Sequence, residues 1–252
     1  MGKLLSIILL FFVITSNSQV KDTTIVKTDL QLGINLSGGN RPMYGGNIKA
    51  NLSIIHNAWE TNASPSFRLS YITDSNGDLV VQRRELYNSF TISHILSNRW
   101  KLIGFSEFDN SFLQKIDMRF NLGVGPGFRY KTDKGEVHIS EVFLAERLDS
   151  KVEQINDYFL IRASTRIKLV YKTNLYTITS IHLIQPAIYT DQDINKSEHM
   201  IYRTNSKIDF NLSKKVTTGI SYDTIFQRYT AFSTGVVKPF DWNSSFFISY
   251  KL

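Results

Sequence analysis

Apolar and polar residues alternate at every second position through most of the chain after residue 19, a period typical of strands that bury one face. The clearest example runs from Lys115 to Lys131. One face of this segment carries Ile116, Met118, Phe120, Leu122, Val124, Phe128 and Tyr130. The other face carries Asp117, Arg119, Asn121, Gly123, Gly125, Gly127 and Arg129. No helical period of 3.6 appears after residue 19, so the pattern predicts an all-β protein.

The same alternation predicts further strands around Leu32, Ile48, Phe67, Ile161 and Ile208, and a last strand that ends the chain. Less regular strands fit residues 79–95, 100–108, 137–147, 175–189 and 216–228. In a closed antiparallel barrel, an even number of strands places both ends of the chain at the same rim. We therefore predict an antiparallel up-and-down transmembrane β-barrel of about 12 strands.

The connections between these strands alternate in length, as they do in bacterial outer-membrane barrels. Short turns are predicted at residues 97–99, 132–135, 173–174 and 213–215, and longer polar connections at 148–157, 190–199 and 229–241. One connection departs from this order, because residues 56–64 form a long connection on the side of the short turns.

The N-terminus carries the three parts of a secretory signal peptide: Lys3, an apolar run from Leu4 to Ile14, and small polar residues up to Ser18. We expect residues 1–18 to be a cleaved signal peptide and residues 19–252 to form the barrel. Removal of Lys3 leaves 28 basic residues against 22 acidic ones, a net charge of +6 instead of +7. The chain has 0 cysteines, which excludes disulfides and thiol chemistry.

The last strand places apolar side chains at alternating positions, a pattern that the barrel-assembly machinery of outer membranes recognises. The residues of this expected assembly strand are Trp242, Phe246, Ile248, Tyr250 and Leu252. Aromatic residues near the short turns, Trp100, Tyr130, Tyr171 and Tyr176, are expected to lie at one membrane interface. The expected surroundings are outer-membrane lipid and lipopolysaccharide, and nucleic acid is not an expected partner. The oligomeric state cannot be predicted from these patterns.

Three segments resemble a known family: Gly33 to Asn40, Leu96 to Trp100, and Gly123 to Tyr130 with the preceding Arg119. They are similar to the salt-induced outer-membrane proteins, also called domain of unknown function 481. The resemblance implies an exported β-barrel and implies no substrate.

Basic residues alternate with the apolar positions, and a charge facing lipid at mid-membrane would cost roughly 2–4 kcal/mol. We therefore expect a row of basic side chains inside the barrel: Lys49, Arg68, Arg119, Arg129, Arg162, Arg166, Lys168, Arg203 and Lys207, with Lys251 near the end of the chain. The clearest acidic partners on the same faces are Asp117 and Asp209. Either the lumen favours anions, or acids such as Glu85 and Glu107 neutralise the row and fill the interior.

The best enzymatic candidate is His138 with Ser140, which share one strand face, with Glu146 further along it. Adjacent residues on one strand face are about 7 Å apart, beyond hydrogen-bond reach, and no supporting motif is present. The other histidines lack zinc spacing, and the acidic segment from Asp191 to Glu198 lacks the glycine and final acid of a calcium loop. No metal or cofactor is expected.

The sequence thus favours an outer-membrane barrel of a structural or passive-transport type, without catalytic activity. Two alternatives remain open. One is an outer-membrane lipid hydrolase that uses His138 and Ser140. The other is a soluble exported barrel that binds a small ligand with its apolar face turned inward.

Overall fold

A computed structural model describes residues 24–38, 43–73, 79–111, 116–150, 158–191, 199–227 and 240–251. The expected signal peptide and Leu252 lie outside these ranges. No helix among the described residues is long and apolar enough to cross a membrane.

The described chain is built from β-strands. Their bounds are β1 Thr24–Gly38, β2 Met43–His56, β3 Trp59–Thr73, β4 Leu79–Ile95, β5 Trp100–Ser111, β6 Ile116–Lys131, β7 Gly135–Ser150, β8 Tyr158–Lys172, β9 Tyr176–Gln185, β10 Ala187–Thr190, β11 Ile201–Asn211, β12 Val216–Gln227 and β13 Phe240–Lys251.

Each strand pairs antiparallel with its neighbours in the chain, β13 pairs with β1, and the whole sheet closes into a barrel. The segments β9 and β10 form one barrel strand that is interrupted at Pro186, because proline has no N–H to donate to a sheet ladder. Both segments pair with β8, with an irregular register in β10. The barrel therefore has 12 strand positions, as predicted.

The two rims of the barrel differ. One rim, here called the turn end, carries the start of β1, the end of β13 and the connections 57–58, 96–99, 132–134, 173–175 and 212–215. The opposite rim, the loop end, carries the connections 39–42, 74–78, 112–115, 151–157, 191–200 and 228–239. The last three are longer than any connection at the turn end, so the predicted alternation is confirmed for the second half of the chain.

The expected long connection at residues 56–64 is wrong. Strand β2 ends at His56 and β3 begins at Trp59, so the turn has two residues, and Asn57 adopts a positive φ of 53°. Asparagine tolerates this left-handed conformation better than most residues. The error has a simple cause: residues 60–66 are small and polar, which resembles a loop, but they pair fully with β4.

Ladder partners share one side of the sheet, so the register separates an outer face from a lumenal face. The outer face of β1 and β2 is apolar and exposed, with Leu32 at 54% and Ile34 at 70% exposure. The lumenal face carries polar groups such as Asn35, which is fully buried. Near the loop end the lumenal face also carries a buried apolar cluster of Ile116, Leu148, Leu160 and Ile201. The exposed apolar face of the sheet points outward, however, so the soluble ligand-binding alternative loses its support.

Alternate glycines of β6 allow a very close approach of β7. A Cβ at Gly125 would lie 1.9 Å from the backbone oxygen of Glu141, and one at Gly123 would lie 2.4 Å from that of Phe143. Only glycine fits such positions. Pro126 causes no register shift, because Leu102 still pairs with it.

The strands are strongly tilted. A row of ladder partners that begins with Thr24 at the turn end passes through Leu102, Thr165 and Tyr202 and reaches Phe240 at the loop end. Each step to the next strand therefore moves toward the loop end, as expected for tilted barrel strands.

Candidate functional site

The predicted basic residues all lie on the lumenal face, as their ladder partners show. Lys49 pairs with Gln31, Arg68 with Glu85, and Arg166 with Ser140. Their surroundings differ greatly along the barrel, however. Those nearer the loop end are paired and buried, whereas those at mid-height are not.

Arg162 is held in a buried clamp near the loop end. Its Nε and Nη2 each donate to a carboxylate oxygen of Glu146 at 2.9 Å, and both side chains are buried. Its Nη1 donates to the backbone oxygens of Gln185, at 3.3 Å, and of His199. This guanidinium therefore ties β7 and β8 to the end of β9 and to the connection that precedes β11.

A second buried group lies on β5 and β6. Arg119 pairs with Asp109 at 3.3 Å and is fully buried. Glu107 accepts from Asn121 at 3.2 Å and from the Tyr87 hydroxyl at 2.9 Å. Of these acids, Glu107 was expected only as a general neutralising group, and the structure pairs both Glu107 and Asp109 with specific donors.

Two ion pairs cross the lumen. Arg203 of β11 lies 3.6 Å from Glu107 of β5, although these strands are not neighbours in the sheet. Arg68 of β3 lies 3.5 Å from Glu85 and 3.8 Å from Asp223 of β12. These bridges narrow the lumen on the loop-end side of its middle.

The expected acidic partners need correction. Asp117 is exposed at a bulge between Ile116 and Met118, and Ile116 instead faces the lumen and is buried. The bulge reverses the alternation on which the expectation rested. Asp209 does face the lumen, but it pairs with Lys207 at 3.0 Å and not with the arginines.

At mid-height the lumen has an excess of positive charge. Among the described residues, no carboxylate lies within 4 Å of Lys49, Arg166 or Lys168. Lys49 and Arg166 are exposed to the interior space. We call Lys49, Arg166 and Lys168 the mid-lumen cations; Lys207 lies at a similar height but is paired with Asp209.

Three aromatic residues of the lumen escaped the sequence analysis: Phe247, Tyr87 and Phe105, which pairs with Gly123. Phe247 points inward and is buried, with Lys207 Nζ 5.9 Å from its ring centroid, a cation–π distance. Tyr87 points inward beside Glu107. Phe247 sits between Gly33 and Gly219, its ladder partners, and these glycines were the available signal for an inward ring.

The proposed pair of His138 and Ser140 is not assembled for catalysis. Both side chains face the lumen, but His138 Nε2 contacts Glu136, which also pairs with Arg129 at 2.8 Å. Ser140 lies opposite Arg166 in the ladder. Glu146 is occupied by Arg162. The segment from 192 to 198 lies outside the described residues, and no cluster of potential metal ligands occurs among the described ones.

The last strand has the expected alternation. Phe246 and Ile248 lie on the outer face with 53% and 54% exposure, and Tyr250 lies on the same face. Trp242 stacks on Tyr222 near the loop end. At the turn end, Trp100, Tyr130 and Tyr171 are exposed on the outer face, as an interfacial girdle requires.

The model of the family described as a protein of unknown function, DUF481, matches residues 30–234. The chain belongs to this family. No curated protein matches the sequence.

Solved structures share the fold of this DUF481 protein. A NanC porin has a TM-score of 0.62 at 11% identity, over 88% of this chain and 100% of the porin. The outer membrane phospholipase A of Escherichia coli has a TM-score of 0.54 at 7% identity, over 94% of this chain and 93% of the phospholipase. At these identities the likeness shows the fold alone, which is that of a porin-like outer-membrane β-barrel.

Proposed function

We propose that this DUF481 protein is an outer-membrane channel through which small anionic solutes diffuse. The observation that carries the proposal is the excess of unpaired positive charge at mid-height, where Lys49, Arg166 and Lys168 lack carboxylate partners. Fixed charges in a narrow polar passage attract ions of opposite sign and repel those of the same sign. The apolar outer face, the aromatic girdle and the alternating last strand support insertion of the barrel in a membrane.

The cations nearer the loop end add little to this preference. Arg119 and Arg162 are buried in ion pairs, and the partner carboxylates neutralise their charges. Arg68 and Arg203 are held in bridges across the lumen. The proposed selectivity therefore depends on the mid-lumen cations and not on the whole basic row.

A second candidate function is a purely structural barrel. The bridges from Arg203 to Glu107 and from Arg68 to Asp223 favour it, because they narrow the passage. In that case the protein stabilises the envelope and conducts no ions. We expect no catalysis in either case, and Ser140→Ala should leave the acyl composition of envelope lipids unchanged.

Purified protein in planar lipid bilayers tests the proposal. With a gradient of KCl across the bilayer, the zero-current potential should have the sign of a chloride preference. The triple variant K49Q/R166Q/K168Q should shift this potential toward potassium, because it removes three solvated charges. The matched control is K134Q, which removes one exposed charge in a turn at the rim.

A cation preference in the wild-type protein would contradict the proposal, and so would a triple variant indistinguishable from K134Q. Absence of any conductance from folded protein would favour the structural barrel. Folding is checked in each case by the difference in gel mobility before and after boiling.

A further inference from the structure

Polar side chains cross the outer face on one side of the barrel. Glu141 of β7 accepts a hydrogen bond from Thr165 of β8. On β9, Ser180 Oγ lies 3.1 Å from His182 Nε2, and His182 Nδ1 lies 3.2 Å from the Tyr202 hydroxyl. All five share the outer face with exposed apolar residues, as their ladder partners show. We call this region, β7 to β9 with Tyr202 of the adjacent β11, the polar wall.

The polar wall lies at the middle of the membrane. The tilted row that begins with Thr24 at the turn end and ends with Phe240 at the loop end passes Glu141 about halfway, beside Thr165. His182 is two residues closer to the turn end than Ile184, the partner of Thr165 in that row. From Glu141, two steps up the row rise by about 7 Å and two residues down the strand descend by about 5 Å, so Glu141 and His182 lie at similar depth.

A carboxylate at this depth needs more partners than its own chain supplies. In the described structure Thr165 is the one side-chain donor to Glu141, although a carboxylate accepts several hydrogen bonds. Hydrocarbon tails offer no donors, so each unmet polar group is costly there. The opposite wall shows what lipid prefers: the outer side chains at mid-height of β1 and β2 include Leu32, Ile34 and Ile48, all apolar.

Glu141 and His182 flank β8 symmetrically. From a rise of about 3.3 Å per residue, a strand spacing of about 4.8 Å and a tilt of about 45°, they are roughly 12 Å apart laterally and within about 3 Å in depth. A two-fold axis along the membrane normal, passing beside Thr165, would exchange their positions. When two copies inserted in the same direction form a closed symmetric dimer, the symmetry axis must have this direction.

We propose that the polar wall is the interface of a homodimer, in which Glu141 of each copy accepts a hydrogen bond from His182 or Ser180 of the other, and this donor gives up a contact within its own chain. The acid and the imidazole are complementary and lie at matching depth, which a lipid neighbour cannot provide. The small side chains of Ala163 and Thr165 on the outer face of β8 permit close approach. Toward the turn end, a groove lined by Tyr130, Val137, Leu169, Ile178 and Ser180 continues the same wall.

The hydrogen-bonded Ser180 and His182 also have the order of a nucleophile and a base. Their depth argues against lipid hydrolysis, because ester carbonyls lie near the headgroups and not at the bilayer centre. The dimer accounts for the same side chains without requiring a substrate to reach them.

Crosslinking in the membrane tests the interface. The chain contains 0 cysteines, so single cysteines can be placed without background. Full-length T165C, treated in isolated membranes with a short bis-maleimide, should give a crosslinked dimer. L32C, on the apolar wall of β1, is the matched control and should remain monomeric. A monomeric T165C, or equal crosslinking of both variants, would overturn the proposal.

Exchange of the two polar partners tests the chemistry. In the T165C background, E141H or H182E alone should lose the crosslink, because each places like groups opposite each other. The double variant E141H/H182E should regain it, since the symmetric contact is restored. Failure of the double variant to recover, while its gel mobility still shows a folded barrel, would contradict the assigned pair. Release of fatty acid that is abolished by S180A in a monomeric protein would also overturn the proposal in favour of hydrolysis.

Discussion

Arg162 and Arg166 stand on the same strand, face the same lumen and are only four residues apart, yet their surroundings are opposite. Arg162 is fully buried and bonded to Glu146, whereas Arg166 is exposed to the interior and has Ser140 as its ladder partner. The loop-end half of the lumen is thus a network of paired charges, and the middle is a solvated positive region. The same residue type stabilises the fold in one region and is available to solutes in the other.

The largest difference between the two regions should appear in stability. Replacing Arg162 by Met leaves Glu146 as an uncompensated buried charge, which should lower the free energy of unfolding by about 3–5 kcal/mol. Replacing Arg166 by Met removes a solvated charge and should change it by less than about 0.5 kcal/mol. Guanidinium unfolding in detergent micelles, followed by gel mobility, measures both.

The double variant R162M/E146L provides the control, because it removes the stranded charge together with its partner. It should recover much of the loss seen in R162M. Equal destabilisation by R162M and R166M would show that the two regions do not differ as described.

A smaller loss of unfolding free energy is expected when the close approach of β6 and β7 is disturbed, because Glu146 lies on β7. A Cβ at Gly125 would collide with the Glu141 backbone, so G125A should cost about 1–3 kcal/mol. At Gly46 the nearest atom to an added Cβ is 3.5 Å away, and G46A should fold with nearly wild-type stability. If the gel-shift midpoints of the two variants agree, the glycines of β6 have no such role.

The bridge across the lumen should affect conductance more than stability. Glu107 is buried, but Tyr87 and Asn121 still donate to its carboxylate when Arg203 is removed, so R203Q should cost less stability than R162M. R203Q should open the passage beside Glu107 and raise the single-channel conductance in bilayers. K134Q, at the rim, should leave conductance unchanged. A conductance equal to wild type in R203Q would mean that this bridge does not limit the passage.

Much of the fold could be predicted from the sequence, because a barrel wall imposes a strict period of two on its residues. The strand count, the turn end and the lumenal side of the basic row all follow from that period. The pairing of individual charges could not be predicted, because it depends on which strands face each other across the lumen. Arg203 reaches Glu107 over a distance that no local pattern encodes.

Local irregularities caused the remaining errors. The bulge at Ile116 reversed the side on which Asp117 points. A strict period of two does not reveal such a bulge, so residues on one side of it are assigned to the wrong face. The small polar residues of β3 resembled a loop because their side chains face a polar lumen and not an apolar core. Glu141 shows the same limit on the outer face. A period of two places it among lipid-facing residues and gives no reason for a carboxylate there.

The central claim is that a water-filled, cation-lined segment exists at the middle of the lumen and ends below the paired network. Cysteine labelling tests it directly, with a negatively charged methanethiosulfonate added to intact membranes. R166C should react readily, because its side chain lies in solvated space. S164C, one lumenal position closer to the loop end and buried, should react much more slowly. Equal rates at the two positions, or no reaction at residue 166 in a folded barrel, would contradict the account.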